Sequence, residues 1–229
     1  AGMRGDDVIL GSGDDHLRYD LEYSVSEALR MRDYEDVVSV KSPSWYQQEG
    51  IELRFDDVRD LSIGSDVKQF FAFTDLFGGT DLVTGISEIH LTELSDDVVG
   101  TSGVEVVYTH EGDDYIETYG GADFIHAGDG QDTIVFFGDE NIYGGAGSDV
   151  FVLSSDHSEN FEITINDFNL DEGDVLDLRS VPSISRNDID TSFIDDDTLE
   201  LAIGNLGKIT LDNIDAGNAE ELQSRIKNQ

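Results

Sequence analysis

A run of short repeats in the middle of the chain constrains its fold more than any other feature. Residues 144–152 read Gly-Gly-x-Gly-x-Asp-x-apolar-x, and similar units of eight or nine residues precede them. Each unit carries an acid, an apolar residue two positions later and, in most units, a glycine two positions earlier. The acids are Asp97, Glu105, Asp114, Asp123, Asp132, Glu140 and Asp149. Seven such units in register predict a repeat architecture.

The three positions of each unit have distinct physical meanings. Glycine permits a positive φ and close backbone approach, so each unit predicts a tight turn. An apolar residue between polar neighbours predicts a short strand with one side chain pointing inward. Two units then form one coil of about eighteen residues, and successive coils stack about 4.8 Å apart as parallel sheets. The predicted fold class is all-β: a parallel β-roll of nonapeptide repeats with an inserted β-rich segment and a C-terminal β cap ending in a short helix.

Acids that lie one coil apart should stack along the two edges of such a roll. One edge would carry Asp97, Asp114, Asp132 and Asp149, and the other Glu105, Asp123 and Glu140. Carboxylates about 5 Å apart repel by roughly 3 kcal/mol at an effective dielectric constant of 20. The chain has 13 Lys and Arg against 51 Asp and Glu, a net charge of −38, so its own cations cannot relieve this repulsion.

A bound divalent cation is the simplest source of counter-charge. Carboxylates combined with turn carbonyls suit Ca²⁺, whereas Mg²⁺ demands a smaller and stricter octahedron. A second repeat patch at residues 5–17 adds two acids eight residues apart. We therefore expect several Ca²⁺ ions as cofactors. The candidate ligands are Asp7, Asp15, Asp97, Glu105, Gly112, Asp114, Gly121, Asp123, Gly128, Gly130, Asp132, Glu140, Gly145, Gly147 and Asp149.

One repeat is irregular. Residues 136–143 form a unit of eight, with Phe137 where a glycine is expected and Glu140 in place of aspartate. Losing the flexible glycine should distort the turn carbonyls that complete a metal shell. We predict that the site between Asp123 and Glu140 is the weakest or empty, whereas the site between Asp132 and Asp149 is full. Separately, Asp123 has acids above and below it and should serve two ions, whereas Asp149 is the last acid of its edge and should serve fewer. Asp123→Ala should therefore weaken the calcium response more than Asp149→Ala. The alternative is that Glu140 is a solvated surface acid.

These nonapeptides resemble the repeats of the RTX (repeats-in-toxin) family, proteins that Gram-negative bacteria export by type I secretion. The resemblance covers about residues 78–152. It implies a β-roll with Ca²⁺ between successive turns, disorder without calcium, and a secreted or cell-surface location. Residues 167–178 are similar to a segment that closes many RTX proteins, most of all the C-terminal region of large RTX adhesins. Asp167, Asp171, Asp174 and Asp177 in that segment are either a further Ca²⁺ site or solvated charge.

The repeats divide the chain into four predicted regions. Residues 1–17 form an N-terminal coil, 18–77 a β-rich insert, 78–152 the RTX roll, and 153–229 a cap with the secretion signal. In the insert, 17–25, 51–55 and 67–73 read as strands, 26–34 as a possible helix, and Trp45 with Tyr46 as a ligand surface or, more simply, as packing. In the cap, 199–211 read as a hairpin. Asn218 and Glu221 read as a capping box for a last helix burying Leu222 and Ile226.

Other classes of function find no support. The strong negative charge argues against nucleic acid and anionic membrane surfaces as partners. No apolar run approaches the roughly 20 residues of a transmembrane helix, and we expect no secretory leader at the start. Cysteine is absent, as are the His-Glu-x-x-His and Gly-x-Ser-x-Gly motifs. The repeat accounts for the carboxylate pairs, and His126 is interpreted as a surface residue. No catalytic residues emerge, so we expect no enzymatic activity.

The resulting hypothesis is an extracellular calcium-binding module that folds on Ca²⁺ binding after type I secretion and forms the C-terminal part of a large adhesin. Its partners would be calcium ions and the secretion machinery, with no transmembrane segment. The alternative is a polysaccharide-binding accessory module of a secreted enzyme such as an alginate epimerase, with an extracellular polysaccharide as partner. A third hypothesis places an enzymatic activity in the insert.

Overall fold

The computed structural model describes residues 8–17, 52–63, 66–74, 80–100, 103–156 and 160–228. In this part the chain forms seventeen strands and one short α-helix, α1 (Ala219–Arg225). The first nine strands are β1 (Val8–Leu17), β2 (Glu52–Ile63), β3 (Asp66–Thr74), β4 (Thr80–His90), β5 (Asp97–Val99), β6 (Val106–Glu111), β7 (Tyr115–Glu117), β8 (Phe124–Asp129) and β9 (Thr133–Phe136). The others are β10 (Asn141–Ala146), β11 (Val150–Leu153), β12 (Phe161–Ile165), β13 (Val175–Asp177), β14 (Ile189–Phe193), β15 (Thr198–Ile203), β16 (Gly207–Asp212) and β17 (Ile226–Lys227).

The strands build a parallel β-roll with two sheets, and the chain alternates between them. In the first sheet, β1, β4, β6, β8, β10, β12 and β16 pair in that order, each parallel to the next. In the second sheet, β2, β5, β7, β9, β11, β13 and β17 do the same. The predicted fold class, an all-β roll with a β cap and a short helix, is confirmed.

The core lies between the two sheets and consists of the predicted apolar positions. In the first sheet Ile125 pairs with Ile142 on the next coil, and in the second sheet Ile134 pairs with Phe151. All four side chains are completely buried. Because side chains alternate between faces along a strand, one inward residue per short strand is enough to fill a core between two close sheets.

The coils are eighteen residues long where both repeats are regular and seventeen where the short repeat intervenes. Ile116 pairs with Ile134, eighteen residues on, whereas Ile134 pairs with Phe151, seventeen residues on. The turns between strands are so tight that a Cβ atom at Gly147 would lie 1.5 Å from the carbonyl oxygen of Gly130 on the preceding coil. Glycine is therefore obligatory at this turn, where φ is +144°.

The strands before the repeats are longer and include antiparallel pairs. β2 pairs antiparallel with β3, and β3 with β4, while β2 and β4 each also belong to a parallel stack. The strands predicted at 51–55 and 67–73 correspond to β2 and β3 and are confirmed. The predicted helix at 26–34, most of the strand predicted at 17–25, and Trp45 lie outside the described residues.

After residue 152 both sheets continue into the C-terminal part. β12 and β13 add the next coil, and β15 and β16 form the predicted hairpin. The predicted capping box is wrong: Asn218 has φ −98° and ψ 9°, and its side chain makes no capping hydrogen bond. An N-cap residue needs extended backbone, which the preceding 3-10 turn does not provide here. Leu222 is buried as predicted, whereas Ile226 belongs to β17 after the helix and is only partly buried.

No helix in the described part of the chain is long and apolar enough to cross a membrane.

Candidate calcium sites

A buried acid directly precedes β5, β7, β9, β11 and β13 of the second sheet, and these five acids form a continuous column. In each step the acid's Oδ1 accepts a hydrogen bond from the backbone N–H of the acid one coil earlier. The distances are 2.7 Å from Asp96 N to Asp114, 2.8 Å from Asp114 N to Asp132, 3.0 Å from Asp132 N to Asp149, and 2.9 Å from Asp149 N to Asp174. We call Asp96, Asp114, Asp132, Asp149 and Asp174 the long acid column; all five side chains are buried.

The second carboxylate oxygen of the interior acids has no partner. Oδ2 is buried and makes no hydrogen bond within the described residues in Asp114, Asp132, Asp149 and, at the opposite edge of the roll, Asp123. A buried carboxylate oxygen without a donor is costly, and native proteins rarely leave one so. Four repetitions of one atom in one repeat position indicate a missing ligand of a single kind. The donor set fits a hard cation such as Ca²⁺.

The opposite edge carries the predicted shorter series, here called the short acid column: Glu105, Asp123 and Glu140. Asp123 Oδ1 accepts the backbone N–H of Glu105 at 2.9 Å. Glu140 behaves differently because its carboxylate folds back onto its own turn. Oε1 accepts the backbone N–H groups of Phe137 and Gly138 at 3.0 and 2.8 Å and the hydroxyl of Thr118 at 3.2 Å. Oε2 accepts the Gly138 N–H at 2.9 Å, so both oxygens of Glu140 have protein donors.

The ends of the long acid column are also closed by protein donors. At one end, the Asp96 carboxylate accepts the backbone N–H of Thr92 at 2.9 Å and its hydroxyl at 2.9 Å. At the other end, Asp174 Oδ2 accepts the Asn169 N–H at 2.7 Å. The loops before and after the regular coils thus supply N–H and O–H groups where the interior acids have none.

Asp97 does not stack on Asp114, and that expectation is wrong. Asp97 pairs with Tyr115 and is exposed, whereas Asp96 is buried and lies in the column. Both Asp96-x-Val98 and Asp97-x-Val99 fit the acid-x-apolar pattern. No glycine marks the turn before these two acids; the residue there is Leu94, whose backbone lies against Gly112. Asp96 is the acid that lies one full coil of eighteen residues before Asp114.

The sequence pattern implied that Asp149 is the last acid of its column, and this is wrong. Asp174 follows it twenty-five residues later, a spacing that the nonapeptide period does not predict. Of the other closing acids, Asp167 accepts the N–H groups of Gly144 and Gly145 at 2.9 Å each. Asp177 pairs with the Arg179 Nε at 2.9 Å, and Asp171 is exposed.

Five aspartates of the two columns have raised pKa values. Burial, the main cause, raises the pKa of Asp114 and Asp149 to about 6 and that of Asp123, Asp132 and Asp174 to about 7. Neighbouring acids contribute, as Asp114 and Asp149 do for Asp132. The N–H groups that bond Oδ1 act in the opposite direction but do not compensate. Without a cation, these groups are partly protonated near neutral pH; a cation would take the place of the proton.

The predicted glycine positions all have the backbone that a tight turn requires. φ lies between +98° and +159° in Gly112, Gly121, Gly128, Gly130, Gly145 and Gly147. Their carbonyl oxygens stack closely: a Cβ at Gly130 would lie 1.6 Å from Gly112 O. These oxygens are the remaining donors that a cation between coils could use. In the described part, no three His, Asp or Glu side chains converge on one point, which fits sites of carboxylates plus carbonyls.

Two predicted acids near the start of the chain stand apart from these columns. Asp7 lies outside the described residues. Asp15 belongs to β1, whose backbone pairs with β4, Asp15 itself being opposite Ile86.

Comparison with known families agrees with this geometry. The family described as RTX calcium-binding nonapeptide repeat matches residues 1–21, 99–134 and 136–156, in four copies. The chain is thus similar to RTX repeats over about a third of its length. Their buried acids and left-handed glycine turns make the described roll a calcium-binding β-roll module. Asp96 and Asp174, which complete the long acid column, lie outside the matched residues.

Among curated proteins no match was found. Two solved structures that resemble the chain are subunits of a mannuronan C5-epimerase from Azotobacter vinelandii. The AlgE6R3 subunit has 21% sequence identity and a TM-score of 0.29, over 57% of this chain and 78% of that one. The AlgE6R2 subunit has 22% identity and a TM-score of 0.33, over 58% and 88%. Such scores carry no argument about function.

Proposed function

We propose that this chain is a secreted calcium-binding module whose roll folds when Ca²⁺ binds, after export by type I secretion from a Gram-negative bacterium. The observation that carries the calcium part is the set of four buried Oδ2 atoms without hydrogen-bond partners in the described residues. The export part is supported by the RTX repeats, which are typical of exported proteins. The similarity of residues 167–178 to adhesin closing segments supports a large adhesin as the parent protein.

The proposed ligands are Asp114, Asp123, Asp132 and Asp149 through Oδ2, with carbonyl oxygens of the adjoining glycine turns. Ca²⁺ bound there would supply the positive charge that the chain lacks and would link each coil to the next. Glu105, Asp97, Asp15 and Asp7 remain candidates for further ions. Glu140 is the weakest candidate, because protein donors already satisfy both of its carboxylate oxygens.

Calcium binding and folding are coupled in this proposal. Each unsatisfied buried group costs about 1–3 kcal/mol, so four of them are a large fraction of a domain's usual stability. The chain's net charge of −38 adds self-repulsion. Extracellular calcium modules bind with dissociation constants of roughly 10⁻⁴–10⁻³ M, which leaves them empty in the cytosol. The chain would then leave the cell unfolded and fold outside.

A calcium titration followed by circular dichroism tests the proposal. We expect β-sheet signal and thermal stability to rise steeply with Ca²⁺ and only weakly with the same concentration of Mg²⁺. Asp132→Asn should shift the calcium midpoint upward, whereas Asp171→Asn, at an exposed acid outside the columns, should not. A roll that is fully formed in excess chelator would contradict the proposal.

Export has its own test. The chain fused behind a passenger protein should reach the medium of cells that express a type I exporter, and a fusion lacking residues 219–229 should stay inside. Export of both fusions alike would show that the signal lies elsewhere.

Polysaccharide binding, the alternative function, has less support in the described residues. The outward rings of β4, β6, β8 and β10 stack on one another, with His126 lying 5.3 Å from Tyr108 and 4.3 Å from Tyr143 at nearly parallel planes. Their faces are covered by neighbouring rings rather than presented to a sugar. Binding of alginate or another glycan by the calcium-loaded chain would restore this alternative.

A further inference from the structure

His110 occupies a backbone position that its neighbours on the next two coils fill with glycine. It pairs with Gly128, which pairs with Gly145, and both glycines have a positive φ. His110 has φ +77°, a left-handed conformation that side chains rarely adopt. Such strain costs on the order of 1–3 kcal/mol and is concentrated at functional positions. A glycine would fold here at lower cost, so the histidine side chain itself calls for an explanation.

The conformation brings the His110 ring against His90 on the preceding coil. His90 Nδ1 and His110 Nε2 form a hydrogen bond of 3.2 Å, whose proton a shared metal ion would replace, and the ring centroids are 5.3 Å apart with planes inclined by 22°. Two imidazole nitrogens on one tetrahedral Zn²⁺, each about 2.0–2.1 Å from the ion, lie about 3.3–3.4 Å from each other. The two nitrogens are therefore already within about 0.2 Å of the separation that a shared zinc ion requires.

Aromatic stacking fixes the orientation of one of these rings. Tyr108 lies on His90 with centroids 4.4 Å apart and planes only 3° from parallel. This contact with Tyr108 holds the His90 imidazole in place, so that binding a metal would cost it little rotational freedom. Further along the same row of rings, Tyr108 stacks on His126, which stacks on Tyr143.

We propose that His90 and His110 form a transition-metal site, with Zn²⁺ as its natural occupant, separate from the calcium-binding acid columns. Neutral imidazole suits Zn²⁺ and its neighbours in the first transition row, whereas Ca²⁺ takes oxygen ligands. Within the described residues, the two histidines supply two of the four tetrahedral positions. The site is therefore weaker than a structural zinc site with four protein ligands. The proposal of a metal site at His90 and His110 does not depend on which acids bind calcium.

The test is calorimetric titration of ZnCl₂ into the 229-residue chain in saturating Ca²⁺, so that calcium already occupies the oxygen sites. We expect one zinc ion per chain at the histidine pair. His110→Gly should weaken binding by at least about tenfold, since even outer-shell changes cost 10–100-fold. The same variant should raise the melting temperature of the calcium-loaded chain, because glycine relieves the left-handed strain. His90→Gln should weaken zinc binding similarly.

His126→Gln is the matched control, since His126 lies in the same row of rings but stacks between two tyrosines. It should bind zinc as the unaltered chain does. Side-chain ¹⁵N shifts of the unaltered chain give a second reading that needs no variant: zinc should move those of His90 and His110 and leave His126 unchanged. Equal zinc affinity in the unaltered chain and His110→Gly, shifts confined to other residues, or no binding at all would overturn the proposal.

Discussion

The long and short acid columns come from the same repeat but meet their electrostatic needs differently. In the interior acids of the long column, one carboxylate oxygen accepts a hydrogen bond from a backbone N–H, and the other is buried without a partner in the described residues. Glu140, in the short column, turns both oxygens onto N–H and O–H donors of nearby turns. One additional methylene and one shortened repeat separate these two outcomes. A carboxylate's unmet hydrogen bonds, and not its place in the repeat alone, therefore mark where a cation is needed.

The glycine turns should give the largest difference between the two columns. Gly147→Ala would place a Cβ 1.5 Å from the Gly130 carbonyl oxygen, so the two coils must separate. We expect a loss of at least about 4 kcal/mol or failure to fold in Ca²⁺, measured by thermal unfolding. Gly138→Ala, in the turn of the short column, meets nothing nearer than 3.3 Å and should cost about 1 kcal/mol or less.

A control separates the clash from the backbone conformation. Gly120 has φ +103°, and its surroundings leave at least 4 Å of open space around the position that a Cβ would take. Gly120→Ala therefore measures left-handed strain alone, about 1–2 kcal/mol. Equal losses in Gly147→Ala and Gly120→Ala would show that the close stacking of coils is not what requires glycine.

Neutralising one acid in each column gives the next largest effect. Asp132→Asn removes the charge of an acid whose Oδ2 has no described hydrogen-bond donor, so the calcium midpoint should rise about tenfold or more. Glu140→Gln removes charge-assisted hydrogen bonds and should cost about 1–3 kcal/mol in saturating calcium, with a smaller shift of the calcium midpoint than Asp132→Asn. Calcium titrations of both variants by circular dichroism distinguish these results. A larger midpoint shift in Glu140→Gln would reverse the assignment.

The pH dependence of stability tests whether the interior aspartates, unlike Glu140, have a buried oxygen without a hydrogen-bond donor in the described residues. The interior aspartates Asp114, Asp123, Asp132 and Asp149 have folded-state pKa values of about 6 to 7, above the ordinary value of 3.8. In the metal-free chain the folded state then binds more protons than the unfolded state between about pH 4 and 7, so stability falls as pH rises through this window. Calcium affinity should rise over the same window because binding displaces protons.

The measurement is the β-sheet circular dichroism signal of the chain in excess chelator at about pH 5 and pH 7.5. We expect this signal, which follows the folded fraction, to be larger at the lower pH. The melting temperature of the calcium-saturated chain should show the opposite order and be higher at pH 7.5. Metal-free stability that increases toward pH 7.5 would contradict buried, unpaired carboxylates.

The smallest effect concerns the beginning of the long column. Asp96→Asn removes the charge and one of the two buried oxygens that accept hydrogen bonds from Thr92, and should cost about 1–2 kcal/mol. Asp97→Asn changes an exposed side chain and should stay within about 0.5 kcal/mol. Denaturant unfolding in saturating calcium measures both. A greater cost for Asp97→Asn would favour the column that the sequence alone predicted.

The features that local rules determine were predictable from the sequence. The acid-x-apolar units identified the inward residues, such as Ile125 and Phe151, because period-two alternation leaves no other face for them. The glycine turns and both columns followed from the same period. Asp97 was misplaced because two overlapping acid-x-apolar units fit and no glycine distinguishes them. A coil of eighteen residues would select Asp96 and one of seventeen Asp97; both lengths occur in the roll, and only the paired strands show which applies here.

Contacts between residues at irregular spacings could not be predicted from the repeat period or from strand alternation. Asp174 joins the long column after a coil of twenty-five residues that contains β11 and β12. Glu140 accepts a hydrogen bond from Thr118 on another coil. The pairing of His90 with His110 depends on a positive φ at a residue that is not glycine. Nothing in the order of residues shows whether a turn will offer N–H groups to a carboxylate or leave it to a cation.

The most direct test of the central claim is a crystal structure of the calcium-bound chain, with anomalous scattering used to locate the ions. We predict Ca²⁺ within about 2.3–2.6 Å of Oδ2 in Asp114, Asp123, Asp132 and Asp149. Glu140 should still be bonded to the N–H groups of its own turn, with no ion beside it. Interior acids without ions, next to a fully occupied calcium site at Glu140, would contradict the claim.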